Sequence, residues 1–221
     1  LYRNFMVNYD LLERAGTRSQ GIRPQSANGC ELLIITHPDF LAAANTLADW
    51  KRQKGLDTEV RTTTDTGSTA ASIKSYIQNA YNTWSPAPSF VLFVGDAEFV
   101  PTNYVTGHPY EGNRLIGTDL YYATVDGSDY FPDISTGRLS VDTLDEANAV
   151  ANKIVNYERN PVMDSSFYVN AVVAAYFQDG EGGVYDGYDD RPFVRTSEEI
   201  RNFLLSKGYT VRRVYEALAS V

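Results

Sequence analysis

The sequence predicts an α/β fold: a mostly parallel sheet with helices packed on it. Two observations carry this. Short, continuously apolar runs of the kind buried on both faces of a sheet alternate with segments of 3.6-residue apolar period. The connections between successive runs are long enough for crossover helices, which the right-handed rule lays against a parallel sheet. At 221 residues and 43% apolar content, the chain can bury one substantial core, or a core and the start of a second.

The elements follow in order. Residues 1–10, "LYRNFMVNYD", alternate apolar and polar side chains like a strand, and the polar, arginine-rich stretch after them reads as an exposed linker. "CELLIIT" (Cys30 to Thr36) is the first buried strand. "PDFLAAANTLADWKRQKG" sets Phe40, Leu41, Ala44, Leu47, Ala48 and Trp50 near a 3.6-residue period, with Pro38 near its start and Gly55 at its stop. Strand "LDTEVRTTT" precedes helix "STAASIKSYIQNAYNTW", with Ser68 or Thr69 as N-cap. "SFVLFVGDAEFVP" is the third and most apolar strand. The next stretch, Gly117 to Ser140, places four aspartates and four aromatic rings in its first seventeen residues and reads as an inserted hairpin turning at Asp126 to Asp129. "TLDEANAVANKIVNYERN" is a helix capped at Thr143, with Glu146 completing a capping box. Strand "FYVNAVVAAYF" (Phe167 to Phe177), an acidic Gly-rich loop, helix "FVRTSEEIRNFLLSKG" and strand "YTVRRVYEA" form one further β-α-β.

Charge and composition exclude some functions. A net charge of -9 disfavours nucleic acid, whose phosphates need clustered Lys and Arg. The acids of "GEGGVYDG" would repel a phosphate, which also disfavours a dinucleotide. No apolar run approaches the roughly 20 residues of a membrane span. Cys30 is the only cysteine, so an internal disulfide is excluded.

A nucleophile needs a base within hydrogen-bond reach. Cys30 and His37 lie at opposite ends of one predicted strand, so they cannot form a dyad with each other. A Cys30–His108 pair is open in principle, but Cys30 enters its strand at the N-terminal edge, whereas parallel sheets place sites at C-terminal edges. Cys30 reads as a small buried side chain, His37 as a helix-entry residue and His108 as part of a loop. Asp96, Glu98, Asp179 and Glu181 all follow strands, but no spacing singles out an acid and a base among them for paired-carboxylate hydrolysis. A hard cation suits the acids better, because calcium gathers six to eight oxygens from carboxylates, carbonyls and water. Asp96 ends the third strand, and the expected hairpin would bring Asp119 and Asp133 together. The other reading leaves these acids as solvated turn residues.

Several segments together resemble the gingipain-like cysteine peptidases of the caspase-like clan: "LADWKRQKGLDTEV", "ASIKSYIQNAYN", "FVLFVGDAEFVP", "TDLYYATVDGSDYFPDISTGRLS", "KIVNYERN" and "LLSKGYT". The resemblance implies a three-layer α/β/α sandwich of two subdomains, the second incomplete. It divides the chain into a pro-domain end and maturation linker (1–29), a first catalytic subdomain (30–162) and the start of a second (163–221). It implies a secreted, extracellular or cell-surface endopeptidase made as a zymogen and acting on protein or peptide substrates. Its Cys/His dyad lies in strand-end motifs this chain does not contain, so no catalytic residue is expected here. The remainder of the catalytic domain, downstream or as a separate chain, would supply them. A proteolytically incompetent relative serving secretion, adhesion or peptide binding is the alternative. The family's structural calcium site maps onto Asp96, Asp119 and Asp133, with the backbone carbonyls of Ile116 and Tyr121. The family's pocket loop falls on Gln178 and Asp179, with Asp186, Asp189 and Asp190 as further pocket acids. That loop departs from the family in length and sequence, so Arg or Lys specificity does not carry over.

Overall fold

The computed structural model describes residues 29–106, 112–180 and 190–216. They belong to two compact units, Leu1–Arg159 and Asn160–Val221.

In the first unit, β1 (Leu32–Thr36) is buried along its whole length, as expected of a central parallel strand. A 3-10 turn at Pro38–Phe40 leads into α1 (Leu41–Gln53), and Gly55 at φ 90° ends that passage. The strand β2 (Thr58–Thr62) stops two residues short of the sequence expectation. Asp65 Oδ2 accepts from the Thr62 backbone N at 2.7 Å and closes a capping box, so Thr63–Thr66 turns into the one-turn helix α2. Thr69 caps α3 (Ala70–Thr83) through Ser72 N. Then come β3 (Phe90–Val94), β4 (Asn103–Val105), β5 (Ile116–Thr118), the single-turn helix α4 (Leu120–Ala123), β6 (Ser135–Leu139) and α5 (Leu144–Arg159). Thr143 and Glu146 form the expected capping box of α5.

The sheet order is β2-β1-β3-β6, parallel throughout, with Leu32 opposite both Thr58 and Phe90, and Phe90 opposite Ser135. Alternation along β1 divides the core. Leu33 and Ile35 pack with Ile73 and Ile77 of α3 and with Tyr122 of α4. Leu32 and Ile34 pack with Ala44 and Leu47 of α1 and with Ala147 and Ala151 of α5. Helices therefore cover both faces, giving the three layers.

The expected inserted hairpin is not formed. Its first arm, β5, pairs antiparallel with β4, Ile116 opposite Val105, and its second arm, β6, is the edge strand of the parallel sheet. Asp119 and Asp133 therefore do not face one another as cross-strand neighbours. The connection between them folds instead through α4, whose last residue Ala123 accepts Asp133 N at 2.9 Å. Asp126 and Asp129 form turns there: Asp126 Oδ1 accepts Gly127 N, and Asp129 Oδ1 accepts Phe131 N, each at 2.9 Å.

Helices α1 and α5 are clamped at one carboxylate. Glu158 accepts from Trp50 Nε1 at 2.7 Å, Lys51 Nζ at 2.6 Å and Lys54 Nζ at 2.8 Å. Although burial opposes ionisation, these donors together hold the Glu158 carboxyl down from 4.5 to about 2. A depressed folded-state pKa adds stability above the unfolded value and loses it as pH falls toward the folded one. Glu158→Gln is accordingly expected to melt below wild type at neutral pH, with the gap closing between about pH 4.5 and pH 2 in an acid series of thermal melts.

The second unit is a β-α-β: β7 (Asn170–Tyr176) and β8 (Thr210–Glu216) pair in parallel from Asn170 opposite Thr210, with α6 (Phe193–Ser206) between them in sequence. The predicted strand start at Phe167 is displaced by a 3-10 turn, Ser165–Val169, in which Asp164 accepts Ser166 N at 2.9 Å. Among the described residues of this unit only Val173 and Val211 are buried, while Val172 and Phe203 are 60% and 61% exposed. Glu198 of α6 fastens the helix to β8 by a bidentate pair with Arg213 at 2.6 and 2.8 Å and a bond from Tyr215 Oη at 2.7 Å.

Candidate functional site

Sites in parallel α/β sheets form beyond the C-terminal strand ends. In the first unit that edge carries His37 after β1, Gly95 and Asp96 after β3, and the Arg138 end of β6. His37 enters the helix as expected: its Nδ1 accepts Asp39 N at 3.3 Å, and its ring stands edge-on to Phe99 at 5.3 Å. Gly95 has φ 132°, and a Cβ there would lie 3.0 Å from Phe99 Cβ, so both backbone and packing require glycine. Asp96 builds the turn that follows. Its Oδ1 accepts Ala97 N at 2.6 Å, and its carbonyl accepts Val100 N at 2.9 Å.

Arg138 is the hub. Its Nε and one terminal nitrogen donate to the two oxygens of Asp119 at 2.8 and 2.9 Å, and the other terminal nitrogen donates to the carbonyls of Gly95 and Val100 at 2.8 and 2.7 Å. The guanidinium lies 5.0 Å from the Phe93 ring centre. Thr102 Oγ1 adds a third donor to Asp119 at 2.9 Å. With the two charged side chains 12% and 21% exposed, this is a mostly buried bidentate pair joining β3, β6 and the start of α4.

A second cation holds the end of α4, where carbonyls run out of helical partners. Lys74 Nζ donates to the Tyr121 carbonyl at 2.6 Å, to the Thr124 carbonyl, and to Thr124 Oγ1 at 3.3 Å, and lies 5.2 Å from the centre of the Tyr121 ring. One turn further along α3, Gln78 Nε2 donates to the Val125 carbonyl at 3.0 Å. Burial lowers the Lys74 pKa, and the Asp133 charge opposes that shift. Asp133 Oδ2 itself accepts Asp126 N at 2.8 Å.

The structure thus places the five residues of the implied calcium site separately. Asp119 is paired with Arg138, Asp96 closes its own turn, and Asp133 anchors the Asp126 turn. The Tyr121 carbonyl is bonded to Lys74, and Ile116 sits in the β4–β5 ladder. Among the described residues, no three His, Cys, Asp or Glu side chains converge as metal ligands. Arg138, Lys74 and Thr102 hold this passage together and are not singled out by the sequence reading. The i, i+4 spacing of Lys74 and Gln78 on one helix face was the available signal, but what that face meets depends on the path of residues 119–133.

The only thiol lies in the core. Cys30 is fully buried two residues before β1, and burial pushes its thiol up to about 12. His108 lies outside the described residues, as do Asp186 and Asp189 of the expected pocket loop. Gln178 bridges Arg191 across the loop ends, its carbonyl accepts Asp190 N at 2.7 Å, and its side chain accepts Tyr176 Oη at 3.0 Å. Asp179 follows directly. Near Tyr176 a cleft of about 540 Å³ is lined by Ala175, Phe193 and Thr196 among others. No described helix is long and apolar enough to cross a membrane.

Comparison with known proteins gives consistent relatives. The model of peptidase family C25 matches residues 25–220. Lys-gingipain of Porphyromonas gingivalis is 34% identical over 149 residues, 65% of this chain and 8% of its own length. Gingipain R2 of the same organism is 25% identical over 212 residues, 95% of this chain and 26% of its own length. The crystal structure of the Arg-specific cysteine proteinase gingipain R superposes with a TM-score of 0.68 at 25% identity, over 87% of this chain and 42% of that one. The chain thus spans less than half the length of each of these relatives.

Proposed function

The chain belongs to peptidase family C25, and from that premise we propose that it forms part of a secreted cysteine endopeptidase whose thiol and imidazole come from residues outside this chain. The observation that carries the second half is Cys30. A thiol held near 12 and sealed in the core cannot present a thiolate to a peptide carbonyl. The first unit then serves as the first catalytic subdomain and the second as the opening of the next. The sparse burial around β7, α6 and β8 supports completion by further strands, since two strands and a helix do not close a core. Residues 1–29 are read as the end of a pro-domain and a maturation linker, which makes the precursor a zymogen. Gln178, Asp179 and Asp190 border the substrate, a protein or peptide. A structural calcium ion at Asp96, Asp119 and Asp133 is the second reading of this region, and it would require Arg138 to release the Asp119 carboxylate.

Peptide hydrolysis by the natural protein that carries this chain tests the reading. Cys30→Ser is expected to leave kcat/KM within about twofold, under about 0.5 kcal/mol of transition-state stabilisation, while alkylation with iodoacetamide abolishes turnover. Loss of hydrolysis in a folded Cys30→Ser variant overturns it. A natural protein that binds peptides but cleaves none would instead establish the proteolytically incompetent relative.

A further inference from the structure

Two of the groups a divalent ion would need between Ile116 and Asp133, the Asp119 carboxylate and the Tyr121 carbonyl, are already bonded to the protein's own cations. Both Asp119 oxygens face the Arg138 guanidinium. The Tyr121 carbonyl lies 2.6 Å from the Lys74 ammonium, with the Thr124 carbonyl and hydroxyl completing a three-oxygen cradle. Calcium binds oxygen at 2.3–2.6 Å, so an ion on the Tyr121 carbonyl would contend with the ammonium for the same oxygen, and like charges at that separation repel. The residues present do not fit the ion.

We propose that Lys74 and Arg138 are the resident cations of this segment, holding the passage from β5 through α4 to β6 in place of a metal ion. Lys74 comes from α3 and Arg138 from β6, so each ties the passage to a different layer of the first unit. An ammonium with three oxygen partners satisfies the exposed carbonyls at the end of α4, and a planar guanidinium satisfies one carboxylate and two carbonyls at once. Charge is balanced locally, by Asp133 near Lys74 and by Asp119 against Arg138. The consequence is a segment whose order is independent of calcium.

Thermal melts of the full 221-residue chain in excess EDTA and in millimolar calcium test this, beside a calorimetric titration of the wild type with calcium chloride. The expected results are an unchanged wild-type Tm between the two media and no binding heat. Lys74→Met is expected to melt lower by roughly 4–8 °C in both media. Asp119→Asn should lose the same amount in both, because its lost partner is Arg138. If EDTA lowers the wild-type Tm, or if the Asp119→Asn deficit vanishes in EDTA, the segment holds calcium and the proposal fails. It fails equally if Lys74→Met melts like wild type. Should either variant not fold, the wild-type melts and titration still decide.

Discussion

Arg138→Met is expected to lower the unfolding free energy of the first unit by about 3–5 kcal/mol, the range for removing one partner of a buried ion pair. The substitution keeps much of the side-chain volume but leaves the little-exposed Asp119 without its guanidinium partner. It also leaves the carbonyls of Gly95 and Val100 without a donor, and each buried orphan adds desolvation cost. Arg138→Lys should recover only a minor part, since one ammonium cannot span both Asp119 oxygens and two carbonyls in the fork geometry of a guanidinium. Urea unfolding followed by far-UV circular dichroism reads the effect, together with a Tm lower by roughly 6–20 °C. A loss below about 1 kcal/mol would place the pair in the class of exposed ion pairs.

Tyr122→Ala is the second large effect, expected to cost about 3–5 kcal/mol as a deleted core aromatic. The ring is fully buried, 4.8 Å from the Phe93 ring and 5.5 Å from that of Tyr121, and its hydroxyl donates to the Pro101 carbonyl. Burial pushes that hydroxyl's pKa up to about 12, which keeps it a donor at any physiological pH. Tyr122→Phe isolates the hydrogen bond and should cost about 1–2 kcal/mol, because the ring's packing survives and only the Pro101 carbonyl loses its partner. Both Arg138 and Tyr122 rest on Phe93, so the double variant Arg138→Met/Tyr122→Ala should depart from additivity. The same denaturant curves measure that coupling.

Much of the fold was legible because it is written in local patterns. The unbroken apolar run of β1, the 3.6-residue period of α1 and α3, and the Thr143/Glu146 box each determine an element without reference to the rest of the chain. The passage from Gly117 to Ser140 was misread because its pairing is not local. β5 turns back to Asn103–Val105, a segment without strand alternation of its own. β6, "STGRL", enters the sheet as an edge strand without the apolar run that marks β1 and β3. That one error misplaced Asp119 and Asp133, since the supposed hairpin was what brought them together. It also concealed Lys74 and Arg138, whose partners are defined only once the passage has been threaded between α3 and β6. Cys30, by contrast, was readable: a thiol at the N-terminal end of a buried strand points to packing, and the structure buries it.

The proposed endopeptidase divides its labour, with the first part of the fold in this chain and the reacting thiol outside it. Capture by a peptidyl chloromethyl ketone, mapped by tryptic mass spectrometry on the natural protein that carries this chain, tests this directly. The predicted adduct lies on a cysteine outside the 221 residues, with Cys30 unmodified in the folded protein and alkylated only after denaturation. An adduct on Cys30 in the folded protein would contradict it.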